Sequence, residues 1–156
     1  MENAVTQTEQ PTRTDGRPLP RPDDVSQFFW DAAARHRLVL QRCAACRNLQ
    51  YPPEVCCIRC QSEQFETAEA AGTGVLYSYC VVNRPLHAGF ADALPYVVAL
   101  VELDDQPGLR MLTNLVDIAE GTDLFCGMNV QVVFEDRGDV TLPQFRPQFR
   151  PAGTHP

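Results

Sequence analysis

Residues 43–60 read CAACRNLQYPPEVCCIRC, and this stretch decides the fold. It places five of the seven cysteines of a 156-residue chain within eighteen residues. Two CxxC pairs, Cys43/Cys46 and Cys57/Cys60, stand ten residues apart. Each such turn aims two sulfurs at one point, and flanking strands bring the two turns together, which is the pattern of a zinc ribbon. Four thiolates in tetrahedral geometry suit zinc and leave no coordination position for water, so one structural zinc per chain is expected. Iron is the alternative occupant, and redox or disulfide use the remaining one.

The compartment bears on that choice. The opening MENAVTQTEQPTRTDGRPLPRP is polar and proline-rich, without the basic start and apolar middle of a secretory signal, and no later run reaches membrane-spanning length. A reducing cytoplasm is therefore expected, where clustered thiols more often hold metal than form disulfides. Cys56 competes with Cys57 for the second knuckle, but only Cys57 keeps the two-residue spacing. Cys56 is expected to be a bystander. Cys80 and Cys126, in or beside apolar strands, are expected to be buried small hydrophobes.

Outward from the cysteines, residues 1–22 and 148–156 lack any sustained apolar period, so both ends are expected to be unfolded. Val25, Phe28/Phe29, Ala32/Ala33 and His36 recur at helical spacing, which predicts a helix over 23–37 capped by Asp23 or Asp24. Three consecutive aromatics make its apolar face wide. Phe29 and Trp30 are candidates for docking a partner, with packing on their own domain as the alternative.

LVLQR (38–42) and FETAEA (65–70) flank the knuckles as strands and set the ribbon at 38–70. Five further runs follow within about seventy residues: 74–84, 96–103, 109–116, 129–136 and 141–145. Turn residues separate them, Asp104-Asp105-Gln106-Pro107-Gly108 being the clearest hairpin, and a short helical turn is allowed near Ala119 to Leu124. Strands at this density predict a small five-stranded barrel over 71–147. The fold class is mainly β.

Charge is divided along the chain. Residues 35–60 carry five arginines and one acid, whereas residues 73–145 carry three arginines and ten acids, within a total of -7. A basic ribbon beside an acidic barrel disfavours binding of single-stranded nucleic acid, which needs a basic groove interleaved with aromatics along the barrel. That function remains the alternative of another class. Independent catalysis is also disfavoured, because His36, His87 and His155 lie in unrelated segments with no motif joining them into an acid–base or nucleophilic pair. No catalytic residue is assigned, and His87 is expected to be a solvent-facing loop residue.

The segments FFWDAAARHRLVLQRCAACRNLQYPPEVCCIRC, GTGVLYSYCVVNRP, PYVVALVELDD, LTNLVD, GMNVQVVFED and LPQFRP occur in one order over residues 23–147. In this they resemble the bacterial and archaeal zinc-ribbon/OB-fold proteins called acyl-CoA-associated, long filed as a domain of unknown function. The resemblance implies an N-terminal helix, a rubredoxin-like ribbon and a C-terminal OB barrel. It further implies a non-catalytic accessory subunit, in a hetero-oligomer with a thiolase-like enzyme, a steroid side-chain aldolase or an acyl-CoA hydratase. On this resemblance Cys43, Cys46, Cys57 and Cys60 match the four metal ligands, and Gly72/Gly74 with Phe145-Arg146-Pro147 match the barrel signature. Cys80 and Arg47 depart from the family's usual residues. No membrane association is expected.

The loop from Pro85 to Pro95 is longer and more apolar than a turn requires. Leu86, Phe90 and Leu94 are candidates for facing the acyl chain of an acyl-CoA, with ribbon arginines meeting the CoA phosphates. Closure of the barrel mouth over its own core is the alternative.

Overall fold

A strand that ends on a metal ligand has to be held at its other end by apolar packing, and β1 (Val39–Cys43) is built that way. The computed structural model describes residues 16–148. The segments 1–15 and 149–156, expected to be unfolded, lie outside the described residues.

β1 pairs antiparallel with the two-residue β2 (Leu49–Gln50) on one side and with β3 (Phe65–Glu69) on the other. Leu38 and Leu40 are buried in the main core, while Cys43 reaches the opposite end of the strand. This three-stranded ribbon leads through Ala70–Gly72 into a closed barrel. Its strands are β4 (Thr73–Val82), β5 (Tyr96–Leu103), β6 (Arg110–Leu115), β7 (Asn129–Arg137) and β8 (Val140–Pro147). They follow the order β4-β5-β6-β8-β7, all antiparallel except β6 with β8, which meet at Leu115 and Phe145. The alternation expected from YVVALVEL is seen in β5, where Val97, Ala99, Val101 and Leu103 are buried and the residues between them are half-buried. Leu76, Met111, Leu115, Val130 and Phe145 complete the barrel core, which is continuous with Phe29, Leu38 and Leu40.

Two glycines permit the barrel to close at its first strand. A Cβ on Gly74 would fall 2.4 Å from the carbonyl oxygen of Glu102, and Gly72 adopts φ 73° with the Val132 side chain against its Cα. One irregularity in β4 reverses an expectation. The pairing with β5 shifts register between Leu76 and Ser78, a bulge that turns the following residues to the other face. Leu76 points inward and is buried, whereas Cys80 points outward and is exposed. Cys126, in the turn before β7, is exposed as well. Neither is the buried thiol the sequence suggested.

The helix α1 is shorter than expected, covering Gln27–Ala33 only. Asp23 hydrogen-bonds Ser26 through both its backbone amide and its carboxylate and so organises the turn before the helix rather than capping it. At the other end the amide of Arg37 donates to Ala32 and that of His36 to Ala33, with His36 at φ 55°. This left-handed closure stops the helix. The ring of His36 is stacked on Phe134 at 5.3 Å, and its Nε2 lies 3.2 Å from Asp136, so the closing residue is tied to β7. No helix forms near Ala119, where a hydrogen-bonded turn joins Thr122 to Ala119 instead.

Residues 16–22 are not free of the fold. Leu19 is buried, the Nε of Arg17 donates to the carbonyl of Gly89 at 3.0 Å, and its guanidinium lies 5.3 Å from the centre of the Phe90 ring. One buried leucine, one arginine and a backbone bridge at Pro18 hold a segment whose composition gives no period. Among the described residues no helix is long and apolar enough to cross a membrane.

Phe29 is 2% exposed, with its ring 5.4 Å from Tyr51 and edge-on to Trp30 at 5.0 Å. It is a core residue joining helix to ribbon, and the expectation that it docks a partner is corrected. Trp30 is half-buried and packs against the same core. Phe29→Ala should destabilise the free chain by about 3–5 kcal/mol, measured by denaturant unfolding with zinc present.

Candidate metal centre and exposed surfaces

The two knuckles are built alike, bond for bond. In the first, the amide of Cys43 donates to the carbonyl of Asn48 and that of Arg47 to Cys43; in the second, Cys57 donates to Ser62 and Gln61 to Cys57. Arg47 and Gln61 occupy equivalent positions with φ 63° each. Backbone amides also point at sulfur, Cys46 to the Sγ of Cys43 at 3.5 Å and Arg59 to the Sγ of Cys57 at 3.4 Å. Arg47 holds its left-handed conformation without being glycine, and its guanidinium is anchored by Glu66 on β3.

Cys43, Cys46, Cys57 and Cys60 come together with every sulfur within 4.8 Å of the others. The Cys43–Cys60 and Cys46–Cys57 separations are 3.6 Å. Zinc–sulfur bonds of about 2.3 Å in a tetrahedron need sulfurs about 3.8 Å apart, close to the two 3.6 Å separations, so the donor set fits zinc. Cys43 and Cys57 are fully buried, Cys46 half-buried and Cys60 exposed. Cys56 stands outside the cluster and turns to the side-chain oxygen of Gln61 at 3.7 Å. The amide of Cys46 draws the Cys43 thiol down to about 6. Cys60 is pushed up to about 12; the Ser62 amide favours its thiolate, but the neighbouring Cys46 and Cys43 sulfurs oppose it. Four thiolates this close repel one another, so a tetrathiolate requires a cation at its centre. The four cysteines fit one structural zinc.

The support beneath this cluster was not apparent in the sequence. Gln41 and Gln50, paired across β1 and β2, are 5% and 1% exposed. Gln50 Nε2 donates to Gln41 Oε1 at 2.8 Å and to the carbonyl of Cys56 at 3.3 Å, and its Oε1 accepts from the amide of Ile58 at 3.1 Å. Gln41 accepts from the amide of Glu54 at 2.9 Å and donates to its carbonyl at 2.8 Å. Two buried amides thus tie the second knuckle to the first hairpin. Nothing in the sequence marks them, since each stands on the face of its strand opposite the core-facing leucine, Leu40 or Leu49.

The basic character of the ribbon is largely cancelled from across the sheet. Arg42 and Arg47 both reach Glu66, and Arg37 forms a two-pronged pair with Glu69. Both acids belong to β3, just beyond the window counted as basic, so three of the five arginines in that window are ion-paired while Arg35 and Arg59 stay exposed.

The loop 85–95 separates its three candidates. Leu86 is 87% exposed, and Leu94 is half-buried just before the Leu94–Pro95 bond. Phe90, on the 3-10 turn Ala88–Ala93, packs on Tyr96 at 5.4 Å and lines a cavity of about 470 Å³ with Arg17, Asn114, Phe134 and Arg137. His87 is exposed and caps the 3-10 turn by accepting from the Gly89 amide at 3.1 Å.

The family model of the rubredoxin-like zinc ribbon domain of ChsH2 matches residues 30–66, and that of its C-terminal OB-fold domain matches residues 67–135. The chain belongs to the ChsH2 family. It is 47% identical to a probable enoyl-CoA hydratase alpha subunit of Thermomonospora curvata over 90% of its own length and 43% of that subunit's. It is 31% identical to a DUF35 domain-containing scaffold protein of Methanothermobacter thermautotrophicus, covering 75% of this chain and 88% of that one. Among solved structures it is similar to a chain of the Ltp2-ChsH2(DUF35) aldolase, with 46% identity, a TM-score of 0.72, and coverage of 83% and 98% respectively. The chain spans under half the length of the hydratase subunit, and nearly all of the chain from the aldolase complex.

Cys57→Ser should lose the metal while Cys56→Ser retains one zinc per chain, by elemental analysis of the purified protein. Gln50→Leu should leave the Cys56 carbonyl and the Ile58 amide unsatisfied and lower stability by about 2–4 kcal/mol, with zinc still bound, in a denaturant titration.

Proposed function

We propose that this chain is a non-catalytic accessory subunit that binds and stabilises a thiolase-like enzyme or aldolase acting on acyl-CoA thioesters, in the first instance an aldolase. The observation that carries this reading is the near-complete coverage, at 46% identity, of a chain from a solved aldolase complex. The local chemistry supports it. A zinc held by four sulfurs has no open position for substrate or water. His36 is engaged by Asp136 and Phe134, and His87 caps its own loop, so neither is paired with a nucleophile among the described residues.

A hydratase partner is the second reading, favoured by the 47% identity to a hydratase alpha subunit. That similarity accounts for 43% of the subunit and gives no ground for placing hydratase chemistry on the ribbon or the barrel. Both readings assign this unit a supporting role beside a catalytic chain.

Co-expression with the aldolase subunit of the Ltp2-ChsH2 complex should yield a hetero-oligomer on size exclusion and raise the soluble yield of that subunit. The isolated chain should turn over no acyl-CoA. Turnover by the chain alone, abolished by His87→Ala, would overturn the accessory reading.

A further inference from the structure

β4 is paired on both sides for only part of its length. Its partnership with β7 covers Thr73, Gly74 and Val75, and the loop before β7 takes the next position, Leu76, whose amide donates to Met128 and whose carbonyl accepts from Gly127. From Ser78 to Val82 the strand pairs with β5 alone. Among the described residues no strand pairs with the other edge over these five residues. Among the described residues the only further bond to their backbone is a 3.4 Å contact from the Asn83 side chain to the carbonyl of Val81. An unpaired edge leaves alternate amides and carbonyls directed at solvent, a ready template for another strand.

The side chains along it do not discourage such pairing. Proteins blunt open edges with lysine, proline or inward-pointing charge, and Ser78-Tyr79-Cys80-Val81-Val82 has none of these. Val81 is 43% exposed and Cys80 is exposed. Beside the edge runs the segment 116–128, fixed to β4 where the Tyr79 hydroxyl donates to the carbonyl of Leu124 at 2.8 Å. This segment presents Phe125, 59% exposed, and the exposed acids Asp117, Glu120 and Asp123 with no basic residue. None of the three acids has an ion pair among the described residues.

We propose that the Ser78–Val82 edge of β4 receives an extended segment of the enzyme subunit as an added strand, one with alternate apolar side chains and a basic residue facing the 116–128 acids. This rests on the accessory-subunit reading above and adds to it the place and mode of attachment. Backbone hydrogen bonds supply the affinity in such an arrangement, and the flanking side chains and charge select the segment.

The test is amide hydrogen exchange on the full chain, free and in complex with the aldolase subunit of the Ltp2-ChsH2 assembly, together with two variants. The outward amides of Ser78–Val82 should exchange freely in the free chain and at least tenfold more slowly in the complex. Val81→Lys should weaken the complex at least tenfold with zinc content and melting temperature retained, while Leu112→Lys, on the exposed outer face of β6, should bind within threefold of the parent. A complex in which these amides exchange as in the free chain overturns the proposal, and so does a folded Val81→Lys chain that binds as the parent does. If Val81→Lys fails to fold, the exchange pattern of the parent chain decides alone. If no complex forms with the aldolase subunit, the aldolase reading fails and the attachment proposal falls with it, an outcome distinguishable from a complex that forms by another surface.

Discussion

Four sulfur–metal bonds hold together a segment that has too little apolar area to hold itself. Between Cys43 and Phe65 the chain buries almost no large hydrophobic side chain, and Val55 and Ile58 are two-thirds exposed. Zinc coordination in such small units supplies on the order of 10 kcal/mol or more toward folding, which replaces the missing core. The effect reaches beyond the ribbon because β1 ends in Cys43 and begins beside Leu38 and Leu40, two members of the core shared with the barrel. A change at the metal is therefore felt along one rigid strand by the same residues that seat α1.

Besides the shared apolar core, the ribbon is joined to the barrel by polar contacts from one hairpin turn. Gln106, in the turn between β5 and β6, accepts from the amide of Leu49 at 2.9 Å and donates to its carbonyl at 3.1 Å, so that a side-chain amide stands in for a strand beside β2. Its neighbour Asp105 accepts from the amide of Ala71, and Asp104 accepts from the hydroxyl of Thr73 at 2.6 Å. The sequence marks Asp104 to Gly108 as a turn, and turns rich in such residues are usually solvated. Here the turn carries the joint, and together with the His36–Asp136 contact at the helix end it grips the ribbon from two sides of the barrel.

How much could be read in advance follows from the range of each signal. The knuckles depend on a spacing of two residues and the barrel strands on a period of two, both local, and the four ligands and five strands stand where these periods place them. What went astray required a distant partner. Phe29 is core because Tyr51 and the β1 leucines meet it. Cys80 faces outward because one bulge, which no residue type announces, reverses the strand. Gln41 and Gln50 are buried because the second knuckle's carbonyls and amides need them. Arg42 and Arg47 share the carboxylate of Glu66 because antiparallel pairing sets Glu66 opposite Arg42. The segment 16–19 is ordered by contacts of Arg17 and Leu19 and a backbone bridge at Pro18.

These features together move the working part of the molecule to its surface. The metal is enclosed by sulfur, the barrel axis is filled by Leu76, Val101, Met111 and Phe145, and the buried polar groups of the ribbon are consumed in holding the second knuckle. Rearranging the ribbon's interior is costly, because Gln41 and Gln50 already have their hydrogen-bond partners there. A surface that is already ordered loses little conformational entropy when a partner attaches, so a modest set of contacts is enough to hold a second chain in place.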